Sequence, residues 1–387
     1  MTVFDGLIGQ DRVVEILESA SAAAAASLRG EPAAGMTHAW LFTGPPGSGR
    51  SVAARAFAAA LQCPRGGCGE CHECHTAMGG SHPDVTVVVP AGLHLLIAEA
   101  REIVASSARA PVLGRWQVTV IEDADRMEER TGNTLLKALE EPPPRGVFLL
   151  CAPSPEDLLP TIRSRCRLVT LRIPPYDAVA DYLVREGIER STAEFAARAA
   201  QGHVGRARRL ARDEEAQRRR REVLKLPTQV ETVGGCFAAA AALVAAAREE
   251  AAVLTGELDV AEASALRDAL GDTGGRGKAR PRGAAAAVAD LERRQKSRAT
   301  RTQRDALDRA LIDLAAFYRD VLAAQVGASV DLVNADLDKP IRTLAASSSP
   351  EATLRRIEAV LACREAIDTN VAPLLAVEAM ALSLHAG

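Results

Sequence analysis

The stretch Gly44-Pro45-Pro46-Gly47-Ser48-Gly49-Arg50-Ser51 has the residue types and spacing to hold a phosphate. It reads G-x-x-x-x-G-[basic]-Ser. Glycines let successive backbone N–H groups turn toward one anion. A following helix adds the positive end of its dipole, and a hydroxyl in the last place can hold Mg²⁺. Position 50 departs from the pattern, which calls for Lys where Arg50 stands. Lys is a compact point charge on a flexible stem and Arg a planar fork, so the exchange is not conservative. The cradle keeps its backbone donors and can still take a phosphate, but its support for catalysis is put in question.

A second set is Cys63, Cys68, Cys71 and Cys74, spaced C-x4-C-x2-C-x2-C. The two x2 spacings let neighbouring thiolates converge on one ion, and four thiolates complete a tetrahedral Zn²⁺ site. Gly66, Gly67 and Gly69 supply tight turns, and His72 and His75 could substitute as ligands. A closed Cys₄ site has no open position, so it is expected to be structural. The competing reading is free or redox cysteines. A third set is Glu122-Asp123, closing the apolar run from Trp116 to Ile121. Acids at the carboxyl edge of a parallel sheet are the hard oxygen ligands that a nucleotide's Mg²⁺ requires, with ordinary helix-capping acids as the alternative.

The elements that must position these groups alternate. Ala39–Thr43 is an apolar run before the phosphate loop, and the Ala-rich segment Val52–Leu61 after it reads as helix. Strands are predicted at Asp84–Val89, Trp116–Ile121, Val147–Ala152 and Leu168–Arg172, and helices at Leu95–Ala108, Thr131–Glu141 and Leu158–Arg163. An earlier helix starts near Asp11, a plausible N-cap. Strand and helix in alternation across 39–172 predict an α/β fold with a doubly wound parallel sheet. Pro174-Pro175 marks a boundary, after which residues 176–213 read as a small helical domain and 228–387 as Ala-rich helix. Gly271 to Gly283 reads as a loop, and Arg293 to Arg304 as an exposed helix start. The run Arg206 to Arg221 reads as a solvated face, because Asp213, Glu214, Glu215 and Glu222 interleave with it, or else as a surface for DNA phosphate.

Composition narrows the class. At 387 residues the chain has room for two or three domains, and its 48% hydrophobic content comes with only 3% aromatics. A net charge of −3 does not mark a general polyanion binder. No apolar stretch reaches the roughly 18–20 residues that span a membrane. Met1 to Gln10 holds Asp5 and no basic region followed by an apolar core, so a cytoplasmic location is expected. In a reducing compartment eight cysteines are expected to be metal ligands or buried hydrophobes.

Several motifs together carry a resemblance. Leu7-Ile8-Gly9-Gln10 is similar to the stretch near the adenine in many AAA+ proteins. The cysteine insertion follows the phosphate loop directly. With it come His82-Pro83-Asp84, the run Asn133 to Pro143, and Thr161-Ile162-Arg163-Ser164-Arg165-Cys166. Together they resemble the bacterial DNA polymerase III clamp-loader subunits, from about Leu7 to Arg172 and more weakly to the end.

The resemblance implies an AAA+ domain with a zinc module (1–173; cysteines within 63–74), a helical lid (174–222) and an all-α collar (223–387). It implies ATP with Mg²⁺ at Gly44, Gly47, Gly49, Arg50, Ser51, Glu122 and Asp123, with structural Zn²⁺ at the four cysteines. The partners it implies are gamma/tau and delta subunits in a pentamer, the sliding clamp, and primer-template DNA through the assembly. In the active gamma/tau subunit the acid pair runs Asp-Glu, a Thr sensor follows the fourth strand, and an Arg sensor lies in the lid. Here those slots hold Glu122-Asp123, Ala152 or Pro153, and Gly205, with Arg206 one step out of register. With Arg50 this points to the degenerate delta-prime type. Arg165 then resembles the finger that reaches a neighbour's ATP. Two other readings are an active gamma-like ATPase and an unrelated zinc and nucleic-acid-binding module.

Overall fold

The computed structural model describes residues 2–32, 34–90, 92–270 and 284–387. The predicted loop from Gly271 to Gly283 lies outside them. The chain divides into two compact units, Met1–Ala211 and Arg212–Gly387.

The first unit opens with α1 (Asp11–Leu28), whose cap residue is Gln10 rather than Asp11. Then come β1 (Ala39–Thr43), α2 (Arg50–Gln62), α3 (His72–Met78), β2 (Val85–Val88), α4 (Ile97–Ser107), β3 (Gln117–Ile121), α5 (Glu129–Glu140), β4 (Gly146–Ala152), α6 (Pro160–Arg163) and β5 (Arg167–Thr170). The five strands form one parallel sheet in the order β2-β3-β4-β1-β5. The inner strands β1, β3 and β4 are buried along their whole length, as both faces of a parallel sheet require, whereas β5 at the edge is largely exposed.

Alternate residues feed opposite cores. Trp40 and Phe42 of β1 join Val118, Val120, Leu149 and Cys151 on the face covered by α1 and α2. Ala39 and Leu41 join Phe148 and Leu150 on the face covered by α4 and α5. The buried alanines of α2, from Ala53 to Ala60, let it lie close on the sheet, and Phe57 meets Trp40 edge-on at 4.9 Å. Three further helices follow: α7 (Tyr176–Arg185), α8 (Arg190–Ala199) and α9 (Val204–Arg212).

One carboxylate fixes the approach to β3. Asp84 is 1% exposed and accepts the backbone N–H groups of Val112 (2.7 Å), Leu113 (2.9 Å) and Gly114. Burial alone would raise its pKa, but those three donors outweigh it and hold the carboxyl below its usual value. A folded pKa below the unfolded one adds stability at pH above about 4, lost as pH falls through the folded value. Asp84→Asn should therefore cost about 1–3 kcal/mol at neutral pH. The gap to the parent should shrink in melts below about pH 4, and a gap independent of pH would refute the assignment.

The second unit is helical: α10 (Glu214–Val223), α11 (Leu226–Gln229), α12 (Val233–Ala269), α13 (Ala284–Gln325), α14 (Asp338–Ser347), α15 (Pro350–Asp368) and α16 (Pro373–Ala386). One core runs from Leu243 through Leu311 and Tyr318 to Met380. Two expectations are corrected here. The run Arg293–Arg304 does not start a helix but lies inside α13, where Arg298 pairs with Glu262. The run to Arg221 is not wholly solvated, because Arg220 is buried, its Nε 3.2 Å from Asp313 Oδ1, and it donates to Asn334. A buried guanidinium needs such partners, since an unpaired one is costly.

Candidate nucleotide site and cysteine cluster

The phosphate loop joins the end of β1 to α2. Gly44, Gly47 and Gly49 have φ of 151°, 89° and 93°. A Cβ on Gly44 would lie 2.5 Å from the Leu171 carbonyl oxygen, and one on Gly47 would lie 2.8 Å from His203 Cβ, so both must be glycine. Arg50 Nη1 donates back to the Gly44 carbonyl at 2.6 Å. Ser51 is half-buried in the first turn of α2. The Ser48 hydroxyl is buried with no hydrogen-bond partner among the described residues.

Gln10 supports the loop from below. Its amide donates to the Ser48 and Arg172 carbonyls and accepts the Arg172 N–H. The resemblance included Gln10 in the motif Leu7-Ile8-Gly9-Gln10 but did not anticipate these bonds.

Glu122 and Asp123 follow β3, as expected, but neither carboxylate stands alone. Glu122 Oε1 accepts from Arg55 Nε at 2.8 Å, with the side chains 14% and 31% exposed. Asp123 takes a left-handed φ of 50° and lies 3.8 Å from Arg126. Arg55 escaped the sequence reading, and its signal was faint: a basic residue in an otherwise Ala-rich helix, facing a Glu where Asp is usual. Burial pushes the neighbouring Cys151 thiol up, with Glu122, Arg50, Asp123 and Arg55 acting on it in that order.

At the positions where the resemblance expects sensors, Ala152, Pro153 and Gly205 offer no polar side chain. Ala152 pairs in register with Thr43, and the Pro153 carbonyl accepts the Gly44 N–H at 3.0 Å. Gly205 is the second residue of α9, and the Arg206 N–H donates to His203 Nδ1. Arg165 lies just past α6, 35% exposed. Its Nη2 is 2.5 Å from Glu140 Oε1 and its Nη1 donates to the Thr161 carbonyl at 2.7 Å. Its partners, Glu140, Thr161 and Ser164, all lie outside the phosphate loop.

The four cysteines converge. Their sulfurs lie within 4.8 Å of one another, with Cys63 to Cys68 at 3.7 Å and Cys63 to Cys71 at 3.6 Å. Tetrahedral Zn–S bonds of about 2.3 Å place sulfurs about 3.8 Å apart, so the set fits Zn²⁺. Cys71 caps α3, accepting the Cys74 N–H, and thereby brings Cys74 into the cluster. His72 and His75 are exposed on that helix and stand outside the cluster. The Glu70 N–H draws the Cys68 thiol down to about 6, whereas burial pushes Cys74 up. The cluster can hold a metal ion, and a closed four-sulfur site supplies structure and no reaction step.

A parallel sheet of this strand order, with the phosphate loop after β1 and paired acids after β3, is an AAA+ nucleotide-binding fold. Residues 25–175 match the family model described as DNA polymerase III, delta subunit, and residues 301–385 match its C-terminal counterpart. The DNA polymerase III subunit delta' of Pseudomonas aeruginosa is 38% identical over 154 residues, 38% of this chain and 47% of the relative. That of Bacillus subtilis is 31% identical over 194 residues, 49% and 59%. The subunit gamma/tau of Mycobacterium tuberculosis is 34% identical over 155 residues, 39% and 27%. The chain belongs to the clamp-loader family of DNA polymerase III delta' and gamma/tau subunits. It spans about half the length of the delta' relatives it matches. Among the described residues no helix is long and apolar enough to cross a membrane.

Proposed function

We propose that this chain is the delta-prime, stator member of a bacterial clamp loader. It joins gamma/tau and delta subunits in a ring that places the sliding clamp on primed DNA. It lends Arg165 to a neighbour's ATP and hydrolyses little or none itself. The observation that carries this reading is the end of β4. There Ala152 and Pro153 face the phosphate loop, and the Pro153 carbonyl is already taken by the Gly44 N–H. Neither side chain can orient an attacking water, and geometry comes first in base catalysis. Arg165 supports the reading from the other side: it is surface-exposed, yet its fork is held by Glu140 and Thr161.

On this reading residues 1–173 are the nucleotide-binding domain, 174–222 the lid and 223–387 the collar. The four cysteines hold Zn²⁺, and Gly44, Gly47, Gly49, Arg50 and Ser51 take a nucleotide. The alternative, an active gamma-like ATPase, has the gamma/tau likeness in its favour. The isolated chain, given ATP, Mg²⁺ and primed DNA, should release no phosphate above buffer. Turnover that Ser51→Ala abolishes would overturn the stator reading and install the alternative.

A further inference from the structure

In this fold Mg²⁺ would draw on the acids after β3 and the Ser51 hydroxyl. It demands near-octahedral hard oxygens. The donors present do not fit it. Glu is one methylene longer than Asp, and Glu122 uses that reach to meet Arg55 at 2.8 Å in a largely sheltered pair. A cation taking Glu122 would strand the Arg55 guanidinium without its partner, which is costly where both are shielded from water. Asp123 is turned to a left-handed backbone beside Arg126. Both acids thus already face cations of the chain itself.

The anion cradle, by contrast, is intact. Gly44, Gly47 and Gly49 keep the loop conformation, and α2 begins at Arg50 behind it. The Ser48 hydroxyl, 2% exposed and without a partner among the described residues, lies 2.7 Å from where a Gly44 Cβ would stand. Arg50 spends Nη1 on the Gly44 carbonyl, and a guanidinium has four further N–H donors for phosphate oxygens.

We propose that this loop binds a nucleoside polyphosphate without a divalent cation, the Arg55–Glu122 pair standing where the metal would be. The proposal rests on the reading of the loop as a nucleotide site without turnover.

The test is calorimetric titration of ATP into the full chain, in resin-treated metal-free buffer and again with Mg²⁺. No chelator is used, so the cysteine cluster is not challenged. The two dissociation constants should agree within about threefold, a difference under 1 kcal/mol. Binding that requires Mg²⁺, or tightens more than about tenfold with it, overturns the proposal, as does absence of binding in both buffers. A phosphate-release assay on the same samples keeps the two readings apart: turnover refutes the stator reading, while metal-dependent binding without turnover refutes only this inference.

Arg55→Gln supplies a second arm. It frees Glu122 beside the phosphates, so affinity in metal-free buffer should fall about tenfold and Mg²⁺ should restore it. An equal loss in both buffers would remove the pair from the argument. If Arg55→Gln melts early, Glu122→Gln serves instead. It leaves the Arg55 cation unpaired beside the phosphates, so it should bind ATP more tightly than the parent in metal-free buffer and remain indifferent to Mg²⁺; weaker metal-free binding or dependence on Mg²⁺ would count against the proposal.

Discussion

A clamp loader reconstituted with Arg165→Ala should lose turnover at the one ATP site that this chain faces. A guanidinium fork beside the γ-phosphate stabilises transition-state charge, an effect worth roughly 10³–10⁵ in rate where it has been measured. Total hydrolysis by the assembly should therefore fall by that site's share, while the remaining sites continue. Assembly itself should survive, since Arg165 is held by Glu140, the Thr161 carbonyl and the Ser164 hydroxyl at the surface of its own chain. An exposed pair of that kind contributes about 0–1 kcal/mol. Arg165→Lys should recover little, because an ammonium keeps the charge but loses the fork. The measurement is steady-state phosphate release by the purified complex, beside its sedimentation. Unchanged release from an intact complex would remove the finger role.

Metal loss should produce the largest change in stability. Cys63 and Cys74 are buried in the same core as Val3, Ala60 and Phe57, and a Cβ on Gly67 would touch Val3 and Ala60. Opening the cluster therefore exposes the flank of α2 as well as the loop. Structural zinc supplies about 10–16 kcal/mol of apparent free energy to isolated finger peptides. Here a core remains without the metal, so a loss on the order of 4 kcal/mol is expected for Cys74→Ser. For a unit of this size that is roughly 10–15 °C in Tm. Elemental analysis should find one zinc per chain, lost in Cys74→Ser, and a chelator should lower the parent's Tm as the substitution does. Cys363→Ser, in the other unit and outside the cluster, should retain the metal. A Cys74→Ser chain that melts with the parent would exclude a structural metal.

The residues that form the sheet announced it plainly. Apolar-rich runs at 39–43, 116–121 and 147–152 read as strands covered on both faces, and their alternation with helix leaves few topologies. The cysteine cluster was equally legible, because x2 spacing brings thiolates together locally. That the same segment carries α3 was hidden, since turn glycines and ligand spacing mask a seven-residue helix. What the sequence withheld depends on pairing across elements. Arg55 and Glu122 stand 67 positions apart and meet only because α2 lies against the end of β3. Arg220 looked solvated because it stands in a run of arginines interleaved with acids. Its burial is decided by Asp313 and Asn334, far along the chain. Local pattern reports which face is apolar, and it says nothing of which distant charge a side chain will find.

Gln10 carries a mechanical consequence. One buried amide is bonded at once to the phosphate loop through Ser48 and to the end of the sheet through both the N–H and the carbonyl of Arg172. Two residues later the chain turns at Pro174-Pro175 into α7, and Pro175 Cδ would lie 3.2 Å from a Cβ on Gly9. The loop and the strand end that leads into α7 thus share one fastening. One of its three hydrogen bonds holds the loop and two hold Arg172, so loss of this single amide would release both ends at once.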